Sequence, residues 1–193
     1  MSLTVRNLSK AFGDLQVLQE VNLAFRDNGI YCLMGASGTG KTTFLRILMG
    51  LCKADSGEIE GVEGKRFSVV FQEDRLCESY TPLDNVMMAA ERSMTRENAK
   101  KELCRLLPKE SVLRPVHTLS GGMKRRTAVC RALLAAYDIL LMDEPFTGLD
   151  EDTKRQVIQY VREKTDGKLV ILSTHIEEDA RELGAQVVRL DHA

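Results

Sequence analysis

The chain has 193 residues and a formal net charge of −1, from 27 Lys and Arg against 28 Asp and Glu. This length suits a single domain with its own core, and the balanced charge argues against a dominant nucleic-acid-binding surface. The five cysteines form no CxxC pair, which argues against a zinc site or a disulfide framework, and no apolar run approaches the roughly 18 residues of a membrane span.

The first 72 residues have the pattern of several strands and one helix. Two stretches of alternating polarity, LTVRNL and VLQEVNLAF, predict half-buried strands with FGDL between them. GIYCLM predicts a short apolar strand that runs directly into GASGTGKTT. Apolar residues at helical spacing then predict a helix over residues 41–51, and KRFSVVFQ predicts another strand.

The rest of the chain alternates helices and strands. Residues from about 84 to 107 have a polar, helical pattern, and their mixed charges are typical of a solvated helix face. An apolar helical run follows LSGG, and helices over 151–164 and in IEEDARELG separate the predicted strands ILLMDEP, KLVILSTH and AQVVRL. This order predicts an α/β domain whose mostly parallel central sheet is flanked by helices, with the helical middle as an inserted subdomain.

A glycine-rich loop from Gly35 to Thr42, GASGTGKT, matches the pattern GxxxxGK[ST] between a predicted strand and a predicted helix. Its N–H groups and the helix N-terminus suit a phosphate. Lys41 is expected to reach the β- and γ-phosphates, and the hydroxyl of Thr42 to bind Mg²⁺. A glycine-rich turn that matches by chance is the alternative. The predicted nucleotide-binding residues are Gly35, Ala36, Ser37, Gly38, Thr39, Gly40, Lys41, Thr42 and Thr43.

The strand ILLMDE ends in two acids, Asp143 and Glu144. An aspartate at the end of such a strand can hold Mg²⁺, and the following glutamate can polarise an attacking water. Paired acids at this position can also be simple helix caps. Together with the glycine-rich loop, the pair favours the catalytic interpretation.

A second glycine loop, LSGGMKRR, lies about eighty residues after the first. Ser120 is a natural N-cap, and Gly121 and Gly122 leave N–H groups open at a helix start, so the loop is a second candidate anion site. The alternative is a capped helix with a glycine turn.

From VRNLSKAFG to AQVVRL the chain resembles the ATP-binding cassette (ABC) ATPases, because GASGTGKT, LSGGMKRR, ILLMDEP, GLD and STH occur in the order seen in that family. The resemblance implies a P-loop NTPase fold. Residues 1–72 and 119–193 would form a RecA-like core with an N-terminal antiparallel β part. Residues from about 73 to 118 would form the helical subdomain.

The resemblance also implies that LSGG binds the ATP held by another copy, through Ser120, Gly121 and Gly122. Two subunits, most simply identical, would pack head to tail with each ATP between one P-loop and the partner's LSGG. Asp150 resembles the family's cross-dimer contact, although it is equally suited to cap the following helix. Met123 stands where the family usually has glutamine, which puts contacts at that position in doubt.

Three further residues take roles from the resemblance. Phe12 matches the aromatic that stacks on adenine, with a core phenylalanine as the alternative. Gln72 matches the glutamine that reaches Mg²⁺ and the attacking water. His175 resembles the switch histidine beside the γ-phosphate and Glu144. His117 and His192 match no motif.

The resemblance implies hydrolysis of ATP with Mg²⁺ to power an ABC transporter through separate membrane subunits, on the cytoplasmic face of the membrane. FQEDRL is only faintly similar to a stretch in the ATPases of nitrate, sulfonate and taurine importers and names no substrate, and a bacterial importer is expected. A soluble ABC ATPase acting on DNA or the ribosome is the alternative, although no nucleic acid is expected as a partner. A small P-loop kinase would leave LSGG and STH unexplained. The transported compound stays open, as does import against export.

Overall fold

The structure is a computed structural model that describes residues 3–190. Eight strands and six helices lie within this range. In chain order they are β1 (Leu3–Phe12), β2 (Leu15–Phe25), β3 (Ile30–Met34), α1 (Lys41–Leu48), β4 (Ser56–Glu60), β5 (Phe67–Val70), α2 (Pro82–Met87), α3 (Arg96–Leu103), α4 (Gly121–Leu133), β6 (Ile139–Asp143), α5 (Glu151–Lys164), β7 (Leu169–Ser173), α6 (Glu177–Leu183) and β8 (Gln186–Arg189).

The strands form two sheets. One is antiparallel, in the order β2-β1-β4, and the other has the order β5-β6-β7-β3-β8 with every neighbouring pair parallel. The predicted α/β class, with a parallel central sheet and an antiparallel β part at the N-terminus, is confirmed. Strand β4 was not predicted, because its sequence SGEIE is mostly exposed and has little apolar alternation.

Alternate residues of the parallel strands enter two separate cores. Leu140 and Met142 of β6 pack on one face with α4, α5 and α6. Ile139 and Leu141 face the other side, where α1 and the antiparallel sheet cover them. Strands buried on both faces explain the continuous apolar runs in the sequence. Parallel pairing also places the carboxyl ends of β3, β5, β6 and β7 at one edge, where α/β sheets bind ligands.

The segment between β5 and α4 is helical, but it differs from the predicted pattern. It contains two short helices and two 3₁₀ turns, at Lys109–Ser111 and Val116–Thr118. Thr81 and Asp84 form a capping box that starts α2, and Thr95 caps α3. The charged residues of this segment are mostly exposed, in keeping with the predicted solvated face, whereas apolar residues such as Val86 and Leu103 are fully buried against the main core.

Helix α1 is shorter than the predicted 41–51 span. It ends at Leu48, and Gly50 adopts a left-handed conformation with φ +70°. Leu51 is exposed and lies outside the helix. Within residues 3–190, no helix combines the length and apolar character needed to cross a bilayer.

A buried ion pair connects α5 to α6. The ammonium of Lys154 lies 3.2 Å from Oδ1 of Asp179, and both side chains are almost fully buried. Asp179 also accepts a hydrogen bond of 2.9 Å from the hydroxyl of Thr174 through its other oxygen. The pair therefore attaches the start of α5 to the segment that follows β7.

We expect Asp179→Leu to destabilise the fold by roughly 2 to 3 kcal/mol, because the buried ammonium of Lys154 keeps only the exposed Glu151 as a partner. Adding Lys154→Met should recover most of this loss, since two apolar side chains then pack where the charges lay. Urea unfolding followed by circular dichroism measures the free energy of unfolding.

The control for this experiment is Glu97→Gln, which breaks an exposed ion pair with Lys101. It should change the free energy of unfolding by less than about 0.5 kcal/mol. A double variant less stable than both single variants would contradict the account of the buried pair.

Candidate nucleotide-binding site

The first glycine loop joins β3 to α1 and packs directly on β2. Gly40 has φ +88°, and a Cβ at this position would lie 2.8 Å from the carbonyl oxygen of Val17 and 2.7 Å from Leu18 Cδ2. Only glycine fits this close approach. Gly40 is also the N-cap of α1, without a side-chain cap and without an acidic residue in the first turn. The helix start therefore offers uncapped N–H groups, as an anion site requires.

Lys41 is buried and lies across the loop. Its ammonium donates to the carbonyl oxygens of Gly35 at 2.7 Å and Ala36 at 2.8 Å. The hydroxyl of Thr39 donates to the oxygen of Ala36 at 2.9 Å. These bonds close the loop around one positive charge, which suits a phosphate.

A cavity of about 300 Å³ opens above this loop. It brings together most of the predicted nucleotide-binding residues, including Lys41, with two further predicted catalytic residues that lie far from them in sequence. The lining residues are Phe12, Val17, Ser37, Gly38, Gly40, Lys41, Thr42, Thr43, Gln72 and Glu144. Gly35, Ala36 and Thr39 are not part of this lining and serve the loop's internal hydrogen bonds instead.

The outer end of the cavity carries Phe12, which is half exposed and free of the core. The ammonium of Lys10 lies 5.1 Å from the centre of its ring. Asp55 accepts from this ammonium and from the N–H of Ala11, at 2.7 Å each, and the hydrogen bond from Lys10 lowers the pKa of Asp55. An exposed ring held at a cavity edge can stack on a base, whereas the alternative of a core phenylalanine does not fit.

Asp143 and Glu144 stand at the end of β6, and Ser173 of the neighbouring strand holds both. The hydroxyl of Ser173 donates to Asp143 Oδ1 at 2.6 Å and accepts from the N–H of Glu144 at 2.9 Å. Glu144 has φ +46°, an uncommon conformation for a residue with a side chain. Sequence reasoning missed Ser173 although STH was singled out, because only its histidine matched a role.

His175 lies close to Glu144 but is not hydrogen-bonded to it. Its Nδ1 is 3.8 Å from Glu144 Oε1, and 59% of its side chain is exposed. Both residues line a smaller cavity of about 170 Å³ with Thr147, Gly148 and Leu149. The predicted pair is therefore adjacent in space.

The residues expected to hold Mg²⁺ supply oxygen donors, which this ion prefers. Gln72 lines the main cavity with Thr42, and it also lines a neighbouring cavity of about 280 Å³ with Asp143. Asp143 is buried and receives one hydrogen bond from Ser173. A hydroxyl and an amide on the nucleotide cavity, with a carboxylate on the cavity beside it, fit an ion that takes its other ligands from phosphates and water.

The second glycine loop lies away from the first. The hydroxyl of Ser120 accepts from the N–H of Met123 at 3.3 Å and caps α4. A Cβ at Gly121 would meet no atom within 4 Å, and one at Gly122 would lie 3.4 Å from Leu149 Cδ2. None of the three LSGG residues lines the cavity that contains Lys41.

Asp150 caps α5, which agrees with the N-cap interpretation of this residue. Its Oδ1 accepts from the N–H of Thr153 at 3.0 Å, and this bond lowers the pKa of Asp150. LSGG lies beside the GLD stretch at the start of α5, because a Cβ at Gly122 would be 3.4 Å from Leu149 and 3.7 Å from the carbonyl oxygen of Gly148. The residues predicted to contact a partner's nucleotide thus lie together on one part of the surface.

The family model described as ABC transporter matches residues 18–147. The chain belongs to the ABC transporter family. The match includes the first glycine loop, LSGG and both acids at the end of β6. The predicted resemblance is confirmed, and the chain is an ABC ATPase.

Named relatives include import proteins. The aliphatic sulfonates import ATP-binding protein SsuB of Corynebacterium glutamicum is 38% identical, over 97% of this chain and 79% of its own length. A Chlorella vulgaris protein named "Probable sulfate/thiosulfate import ATP-binding protein CysA" is 35% identical, over 100% of this chain and 88% of its own length.

A solved structure of the bacterial ABC transporter cassette MJ0796, described as dimeric, has a TM-score of 0.84 and 26% identity to this ABC ATPase. The alignment covers 97% of this chain and 94% of that chain. A second structure of MJ0796 is described as a post-hydrolysis state bound to ADP and Pi.

We expect Gly40→Ala to weaken ATP binding more than tenfold, because the added methyl group collides with the carbonyl of Val17 and displaces the first turn of α1. Titration with a fluorescent ATP analogue measures the Kd. Gly64→Ala is the matched control, since Gly64 also has positive φ but its Cβ would meet open space. Equal affinities in the two variants would refute the steric argument.

Proposed function

We propose that this ABC ATPase powers an importer as a head-to-tail dimer, with each ATP between the first glycine loop of one subunit and LSGG of the other. The observation that carries the proposal is the separation of two candidate anion-binding helix starts on one chain. Lys41 and LSGG do not line the same cavity, so a nucleotide bound to both needs a second copy. Identical subunits are the simplest source of that copy.

In the proposed reaction, water attacks the γ-phosphate of ATP. Glu144 orients and polarises the water from the positive-φ turn that points its carboxylate into the cavity edge. Lys41 stabilises charge on the phosphates, and His175 approaches both Glu144 and the γ-phosphate. Thr42, Gln72 and Asp143 would hold Mg²⁺, which neutralises phosphate charge when bound. Phe12 stacks on adenine.

The partner's nucleotide is contacted by Ser120, Gly121 and Gly122, with Asp150 beside them. The N-terminus of α4 carries a favourable partial positive charge for the γ-phosphate. ATP then becomes part of the interface, so binding closes the dimer and hydrolysis weakens it. The description of MJ0796 structures as dimeric supports this arrangement.

ATP binding and hydrolysis are proposed to drive separate membrane permease subunits. These subunits would dock at the boundary between the core (residues 1–72 and 119–193) and the helical subdomain (about 73–118). The cavity of about 280 Å³ beside Gln72 lies at this boundary and is lined partly by Met49 and Phe71. Docking there would hold the chain on the cytoplasmic face of the membrane. Relatives named as import proteins support the importer assignment. The compounds that these relatives import are not assigned to this chain, because the residues described in this site would contact ATP and not a transported compound.

We expect the chain with Glu144→Gln to accumulate as a dimer with ATP, because it binds the nucleotide without hydrolysing it. Adding Gly122→Asp should abolish this dimer, since a carboxylate would face the partner's γ-phosphate. ATP binding by the monomer should persist. Size-exclusion chromatography with light scattering measures the oligomeric state, and analogue binding measures the Kd.

The matched control is Gly122→Ala in the same Glu144→Gln chain, because its methyl group would only contact Leu149 at 3.4 Å. This control should still form the dimer. If Gly122→Asp dimerises as well as Gly122→Ala, LSGG is not at the nucleotide interface.

The transporter role is tested by purifying the tagged chain from detergent-solubilised membranes of its native cells. We expect a multi-span membrane protein to co-purify in a fixed ratio, and to raise ATP turnover when both are reconstituted. Recovery with ribosomes or DNA alone would leave the ATPase assignment standing and overturn the role in transport.

A further inference from the structure

The loop that carries Gln72 is held by a side chain from the LSGG helix. Arg125 of α4 donates to the carbonyl oxygen of Phe71 at 2.7 Å and to that of Gln72. Its Nε lies 3.2 Å from Asp74 Oδ1, and only 9% of its side chain is exposed. One guanidinium thus binds three groups within four consecutive residues of the loop.

Arg131, almost two turns further along α4, extends the same contact. It donates to the carbonyl oxygens of Arg75 at 2.8 Å and Asp74 at 3.2 Å. Four carbonyls directly after β5 therefore receive hydrogen bonds from two arginines of one helix. Carbonyls that leave the sheet lose their strand partners, and the rigid fork of arginine can bind several of them at once.

The positive charges of α4 are not explained by the helix itself. Lys124, Arg125 and Arg126 lie in its first two turns, where cations oppose the helix dipole. Lys124 pairs with Glu78 at 2.8 Å, and Arg126 donates to carbonyls of Gly122 and Leu106. Arg125 alone among the three donates to the backbone of Gln72, a proposed catalytic residue.

Burial makes the contact costly to break. Desolvation raises the pKa of Asp74, and the charge of Arg125 opposes that shift. Since hydrogen bonds to buried charged groups are strong, the loop follows α4 when the helix moves.

We propose that Arg125 is a positioning residue for ATP hydrolysis, which holds the backbone of Gln72 on the helix that begins at LSGG. Through this contact, a nucleotide bound at LSGG by the partner sets the position of Gln72 in the subunit's own cavity. The inference rests on the proposed catalytic role of Gln72. It connects the two ATP sites of the dimer through one helix and one loop.

The test is a double-mutant cycle on ATP turnover by the purified chain. Arg125→Gln, combined with Asp74→Asn so that no half-buried carboxylate is left without its arginine, should lower kcat roughly tenfold with KM changed less than about twofold. In a chain that already has Gln72→Ala, the same pair of changes should have no further effect on kcat. If Arg125 had a purely structural role, the loss of kcat from the Arg125 and Asp74 changes would multiply the loss from Gln72→Ala.

Arg125→Lys is the second variant, because lysine keeps a charge for Asp74 but lacks the fork that binds two carbonyls. It should lower kcat about threefold, again only when Gln72 is present. Arg162→Gln is the matched control, since Arg162 also donates to a backbone carbonyl from a helix, but at Glu182 and away from the nucleotide cavity. Its kcat should equal that of the wild type.

The possible results distinguish failure of the proposed catalytic role of Gln72 from failure of the positioning role of Arg125. If Gln72→Ala alone leaves kcat unchanged, the catalytic role of Gln72 fails and this inference fails with it. If Gln72→Ala slows turnover and the Arg125 variants multiply that loss, Arg125 acts independently and only the inference is overturned. Wild-type kcat in both Arg125 variants also overturns it.

Discussion

Parallel pairing around β7 is the constraint on which the rest of the site depends. Ser173, the last residue of β7, pairs with Leu33 of β3 on one side and with Asp143 of β6 on the other. The glycine loop starts two residues after Leu33, and the acidic pair begins at Asp143. Because parallel strands end at the same edge, the phosphate loop and Glu144 line one cavity although they lie far apart in the sequence.

Three helices begin at positions that the proposed function uses. Helix α1 starts inside the nucleotide cavity, whereas α4 and α5 start at LSGG and Asp150, which lie elsewhere on the surface. An anion at an open helix start is favoured by the dipole and by free N–H groups. Under the proposed function, the starts of α1 and α4 would each supply one half of a nucleotide site. The proposed dimer completes both sites.

Contacts that α4 and α5 make with neighbouring segments would couple the two proposed nucleotide sites. The arginines of α4 hold the loop after β5, and the buried pair of Lys154 and Asp179 joins α5 to the segment that carries His175. In each case, one of the two connected elements is proposed to contact the partner's ATP. The other is proposed to contact the ATP bound by the subunit itself. Displacement of either helix start would therefore reach the residues around Glu144.

Local sequence patterns predicted the alternation of strands and helices, both glycine loops and the two acids at the end of β6. These features are local, because a turn that needs glycine or a strand buried on both faces is encoded within a few residues. The exposed strand β4 and the true end of α1 escaped prediction, since neither has a strong apolar period. The contacts of Ser173, Val17 and Arg125 became visible only in the folded chain. Arg125 and Phe71 are 54 positions apart, and Ser173 and Asp143 are 30 apart. No local pattern encodes such pairs, because packing of the whole sheet brings them together.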